Sequence, residues 1–222
     1  MNVMVSTVGT SMLTNILSPT DQAYLRDNAS VTMGDATMHL ILQRAVTFLK
    51  SNPEIIMKSA EIATLSLYAQ RVASVEFVVP DTHYVFIATN TAQGRCCAHL
   101  IREFLQYRYG LTVEIHEIQG LQVHNPHSLD DAFTDFARFL DSLLQRFALP
   151  TVNQSWWGRL HTVPNARMIL NITGGFKIVS AWVQSYATLH GLLTIYKYES
   201  GDTLIVTTTN APATLPSISF YV

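Results

Sequence analysis

Short apolar runs punctuate this chain, break at small residues and resume as helical patterns. Two of these junctions stand out. Val3-Met4-Val5 leads into Ser6-Thr7-Val8-Gly9-Thr10-Ser11, and Met168-Ile169-Leu170 leads into Asn171-Ile172-Thr173-Gly174-Gly175-Phe176-Lys177. A short apolar run bounded by turn residues reads as a strand buried on both faces, and such strands belong to parallel sheets covered by helices. Where a strand stops at glycine and a helix begins, backbone N–H groups are expected to point outward beside the positive end of the helix dipole. That arrangement suits an anion such as phosphate. One turn carries hydroxyls and the other a lysine, so the pair suits a ligand with several phosphates.

The rest of the chain follows the same alternation. Strands are expected at 2–8, 75–79, 84–88, 111–115, 167–172, 192–197, 204–206 and 218–221. Apolar spacing predicts a helix over 38–49, built on Leu40, Ile41, Ala45, Phe48 and Leu49, after a loop containing Pro19. Pro53 suits the first turn of the next helix, which is expected to run to position 71. Further helices are expected at 95–109, ended by Gly110, from a Ser128 cap through Leu144, and at 177–190. A loop with His116, His124 and His127 precedes the Ser128 helix, and a loop at 150–166 holds Trp156 and Trp157. The pattern predicts one α/β domain over residues 1–222, a Rossmann-like, mostly parallel sheet with helices on both faces and an antiparallel C-terminal edge. Parallel strands end on one edge, so the turns after residues 8, 88 and 172 are expected to share it.

Composition narrows the partners. The 222 residues are 48% hydrophobic, enough for one sizeable core. Only 14% are charged, which suggests that a second subunit covers part of the surface. A net charge of −2 argues against a surface that grips duplex nucleic acid and favours a small ligand in a pocket. Cys96 and Cys97 are adjacent, a spacing that suits neither a disulfide nor a zinc site. The N-terminus enters a strand pattern without a basic start and a long apolar run, and no stretch approaches the ~20 apolar residues of a membrane span. The expectation is a cytoplasmic protein with no membrane partner. The histidines lack the H-E-x-x-H spacing, and no ligand set for a metal or cofactor is evident.

Each candidate motif also has a purely structural reading. Gly9-Thr10-Ser11 fits an ordinary strand–helix turn, and Gly174-Gly175 fits a tight turn. Neither completes a phosphate loop or a dinucleotide fingerprint. Lys177 is more telling, because the dipole disfavours a cation in the first turn of a helix, and a bound phosphate would offset that cost. Thr89-Asn90-Thr91-Ala92-Gln93-Gly94-Arg95 supplies a third turn on the same edge. Its Thr91, Gln93, Gly94 and Arg95 suit a ribose, base or phosphate, while Thr91 equally suits a helix cap. The tryptophans at 156 and 157 suit base stacking, a core edge or a dimer contact.

At these residues the chain resembles the CRISPR-associated Rossmann-fold (CARF) proteins. Ser6 through Asn15 is similar to the opening motif of that family, and Asn171 through Lys177 to its second motif. Thr89 to Gly94, Ile118-Gln119-Gly120-Leu121-Gln122-Val123 and Tyr196-Lys197-Tyr198-Glu199 extend the likeness over nearly the whole chain. The resemblance implies a homodimer that binds a cyclic oligoadenylate, a second messenger of type III CRISPR systems, across its twofold axis. Many members carry a HEPN ribonuclease with an R-x(4–6)-H motif. This sequence has none, since Arg95 and His99 are one residue too close.

A stand-alone member of that kind resembles a ring nuclease, which degrades the messenger without a metal. The resemblance then implies Ser11 and Lys177 as the catalytic pair. The candidate ligand contacts are Gly9, Thr10, Asn15, Thr91, Gln93, Gly94, Arg95, Thr173, Gly174, Gly175 and Phe176. Cyclic tetra-adenylate is the ring expected for the family. A non-catalytic sensor that signals to a partner protein or to transcription would use the same pocket. An unrelated α/β nucleotide-binding protein would require both motifs to be accidental.

Overall fold

In a computed structural model, residues 1–74, 79–121, 126–149, 167–175, 177–198, 201–208 and 217–221 are described. Seven strands form one sheet in the order β3-β2-β1-β4-β5-β6-β7. They are β1 (Asn2–Thr7), β2 (Thr82–Thr89), β3 (Val113–Ile118), β4 (Met168–Asn171), β5 (Leu193–Lys197), β6 (Leu204–Thr208) and β7 (Ser217–Tyr221). Strands β1 to β5 pair in parallel, and β6 and β7 add antiparallel partners. This is the Rossmann-like sheet with an antiparallel C-terminal edge that the alternation predicts. The runs at 75–78, 122–125 and 150–166 lie outside the described residues. The expected strand at 75–79, His124 and the two loop tryptophans therefore fall there almost entirely.

β1 lies between β2 and β4 and is covered on both faces. From Val3 through Val8 every residue is buried. One face packs against α1 (Leu13–Ile16), α2 (Pro19–Asp27), α3 (Ala36–Ser51), α4 (Ala60–Ala73) and α5 (Ala92–Tyr109), around Phe86, Met12, Ile41 and Leu100. The other packs against α6 (Pro126–Arg146) and α7 (Lys177–His190), around Phe136, Leu140, Val179 and Val183. The strongly amphipathic α6 thus buries its Leu and Phe stripe in the second core, as helical spacing dictates.

Several local readings need correction. Pro19 does not sit in a loop; it opens α2 behind a Ser18 cap, where its missing N–H costs nothing. The helix expected from Pro53 is two elements. A 3-10 turn spans Pro53–Lys58, and Ser59 then adopts an extended backbone and accepts from the Ile62 N–H, restarting the chain as α4. α5 begins at Ala92, because the Thr91 hydroxyl accepts from the Gly94 N–H. β3 starts at Val113 rather than Leu111, whose N–H still closes the end of α5 onto Leu105. His116 consequently lies in β3, not in a loop, and its ring stacks on Phe139 at 3.6 Å. Ser128 lies inside α6 rather than capping it, and its hydroxyl reaches back to the Gly120 carbonyl at 3.4 Å.

Candidate functional site

The chain leaves β1 for β2 on one side and, after β3, returns to the other side of β1 as β4. The direction of winding therefore reverses between β1 and β4. In open α/β sheets the crevice at the C-terminal ends of two such strands is where ligands bind. Ser6 lies opposite Asn171 in the register, so the turns that follow these strands emerge side by side.

The two turns touch. A side chain added at Gly9 would come within 3.1 Å of the Gly175 nitrogen. The Thr7 hydroxyl donates to the Gly174 carbonyl at 2.6 Å. Gly175 has φ +88°, a left-handed backbone that only glycine adopts without strain. The Asn171 amide is 1% exposed, donates to the Ser6 hydroxyl at 3.0 Å and to the Glu61 carbonyl at 3.0 Å, and accepts from the Thr173 N–H. The Thr173 hydroxyl accepts from Thr64 at 2.8 Å and from the Lys197 N–H at 3.1 Å, joining the second turn to α4 and β5. No buried side-chain polar atom among the described residues lacks a partner.

The residue that sequence reasoning missed is Glu61, in the first turn of α4. It is 1% exposed, and its Oε1 accepts the Gly9 N–H. Its Oε2 accepts from the Ser59 hydroxyl at 2.6 Å. A Cβ on Gly174 would collide with the same carboxylate. Burial is the leading influence and pushes its pKa up from the ordinary 4.5, while the Ser59 and Gly9 hydrogen bonds pull the other way. The Gly9 N–H is therefore turned inward onto a carboxylate and is not among the outward N–H groups expected of this turn. A lone glutamate in Ala60-Glu61-Ile62-Ala63 was the available signal, though helical spacing alone gives no reason to single it out.

The expected site residues separate into groups. Ser11 and Lys177 are both exposed, one beyond each turn, with Asn15 exposed nearby in α1 and Thr10 half-buried. Gly9, Thr173, Gly174 and Gly175 are brought together as described. Phe176 lies outside the described residues. At the third turn, Thr91 is the cap of α5, Gly94 is buried and Gln93 half-buried. The Arg95 side chain is 12% exposed, and its guanidinium is held by Glu117 at 2.8 Å and by the Val31 carbonyl at 3.1 Å. No trio of His, Cys, Asp or Glu that could hold a metal occurs among the described residues. No described helix is long and apolar enough to cross a membrane.

Fold and site together define a doubly wound α/β protein whose paired glycine turns meet at the topological switch point. A family model described as CRISPR-associated protein (Cas_APE2256) matches residues 57–207, and the chain belongs to that family. The matched stretch holds Glu61, β2 to β5 and the Asn171–Lys177 turn, while the Gly9 turn precedes it. A comparison with curated proteins finds no match.

Proposed function

We propose that this CRISPR-associated protein is a ring nuclease. In this reading a homodimer binds cyclic tetra-adenylate across its twofold axis and cleaves it without a metal, switching off type III CRISPR signalling. The observation that carries the reading is the contact between the Gly9 and Gly174-Gly175 turns at the switch point, with the exposed Ser11 following one and the exposed Lys177 following the other. Family membership supports the CRISPR context.

The chemistry asks little of the protein beyond placement. A ribose 2′-hydroxyl attacks the adjacent phosphorus, the O2′–P bond forms, and the P–O5′ bond breaks in line. The hydroxyl proton ends on the departing 5′-oxygen by way of solvent. The product is a linear oligoadenylate with a 2′,3′-cyclic phosphate. Holding the nucleophile in line and stabilising charge on the phosphorane supply most of the rate in such a reaction. Lys177 supplies the positive charge, and Ser11 orients the phosphate or the attacking hydroxyl. No strong general base stands among the candidate residues, so turnover is expected to be slow, as suits a timer.

The test is incubation of the purified protein with the ring in EDTA, followed by chromatography of the products. Linear products ending in cyclic phosphate are expected. An intact ring at excess enzyme would refute the reading, and tight binding without products would move the protein to the sensor class. Rings of other sizes in parallel identify the preferred one.

A further inference from the structure

We propose that Glu61 is a positioning residue, a buried clamp that holds the Gly9 turn against the Gly174 turn and thereby fixes Ser11 relative to Lys177. Its consequence for cleavage rests on the ring-nuclease reading; the clamp itself does not.

Three contacts converge on this one residue. Oε1 takes the Gly9 N–H from the turn after β1. The side chain lies against Gly174, in the space that a Cβ would otherwise fill. The backbone carbonyl takes the Asn171 amide at the end of β4. Glu61 therefore touches both turns from below while α4 anchors it. A leucine would suit the surrounding core better on burial grounds, since its neighbours Ile62 and Leu65 are buried and apolar. Burying a carboxylate without a cation is costly. None of the ion pairs among the described residues includes Glu61. A leucine, however, would leave the Gly9 N–H without an acceptor. The carboxylate is thus used as an acceptor of fixed position, and it meets a backbone donor of the first turn.

The experiment compares the full-length wild type with Glu61→Leu and Glu61→Gln. Gln keeps an acceptor oxygen for Gly9 and can donate its amide to Ser59, whereas Leu keeps only the bulk. Amide hydrogen exchange at Gly9, followed by NMR, reads the clamp directly. In the wild type the Gly9 amide is expected to be protected. Glu61→Gln should keep that protection, and Glu61→Leu should lose it by about tenfold or more, the scale of one hydrogen bond. An unprotected Gly9 amide in the wild type overturns the proposal whatever the variants do. So does equal protection in Glu61→Leu and the wild type.

Single-turnover cleavage of cyclic tetra-adenylate reads the consequence. Glu61→Leu should lose about 10²-fold in the cleavage step, with ring affinity changed far less, and Glu61→Gln should restore most of it. A role in folding alone would lower the melting temperature and leave the cleavage step of the folded protein unchanged, which would refute positioning. If the wild type does not cleave the ring, the proposed function fails while the exchange measurement still judges the clamp.

Discussion

Glu61 carries a charge into a place where water cannot solvate it, and this has a pH signature. Its native pKa lies above the ordinary 4.5 because burial disfavours the charged form. The native state then holds the proton more tightly than the unfolded chain, so this group's contribution to stability falls as pH rises from 4.5 through the native value. Glutamine has no proton to lose. The stability of Glu61→Gln relative to the wild type is therefore expected to rise between the unfolded-state value and about pH 8, the gap moving in the glutamine's favour. Urea unfolding at both pH values checks this, and a gap that does not move that way with pH would contradict it. The buried thiol of Cys97 is a titratable neighbour that senses this charge. Desolvation first, and Glu61 second, push its pKa up, so it stays protonated across this range. At the other end of the site, Lys177→Ala should slow single-turnover ring cleavage by about 10² or more, the scale of one lost charge stabiliser. A rate within threefold of wild type would remove Lys177 from the chemistry. Ser11 and Lys177 are implied by the family resemblance of their two motifs, with the glycine turns and a lysine in the first turn of a helix as the local signals beside it. Glu61 has no such signal, since the Gly9 N–H it accepts lies 52 residues away.

Among the elements, the strands were the most legible. β1 and β4 are buried on both faces, and that condition writes itself as an unbroken apolar run. Helix starts were less so, because proline and serine each fit more than one position. Pro19 opens a helix, whereas Pro53 opens only a 3-10 turn before Ser59 caps the true helix. Ser128 resembles a cap but lies within α6. These outcomes depend on which side-chain oxygen finds a free N–H, and that is settled by tertiary packing. At the third turn, Thr91 is a cap, with its hydroxyl accepting from Gly94 at 3.0 Å. Thr91→Ala should cost about 1 kcal/mol of stability in chemical denaturation. No measurable loss would mean that the cap carries no weight in α5. The adjacency of β1 and β4 was not legible in composition at all. It follows from the crossover order, and it is what brings two motifs more than 150 positions apart into contact.

For the whole molecule, the low charged fraction of 14% fits a chain that hides surface in a second copy, as the ring-nuclease reading requires. Light scattering after size exclusion should give twice the 24.8 kDa of one chain. A monomer at micromolar concentration, with and without the ring, would remove the twofold axis on which the proposed binding mode depends. The most direct measurement is a crystal structure of the wild-type protein with a 2′-deoxy analogue of cyclic tetra-adenylate, which lacks the attacking hydroxyl and cannot be cleaved. The expected result is a Ser11 hydroxyl and a Lys177 ammonium within hydrogen-bond distance, about 3.2 Å, of one and the same phosphodiester. A ring bound with those two groups on different phosphates, or bound away from the β1–β4 crevice, would contradict the proposed function.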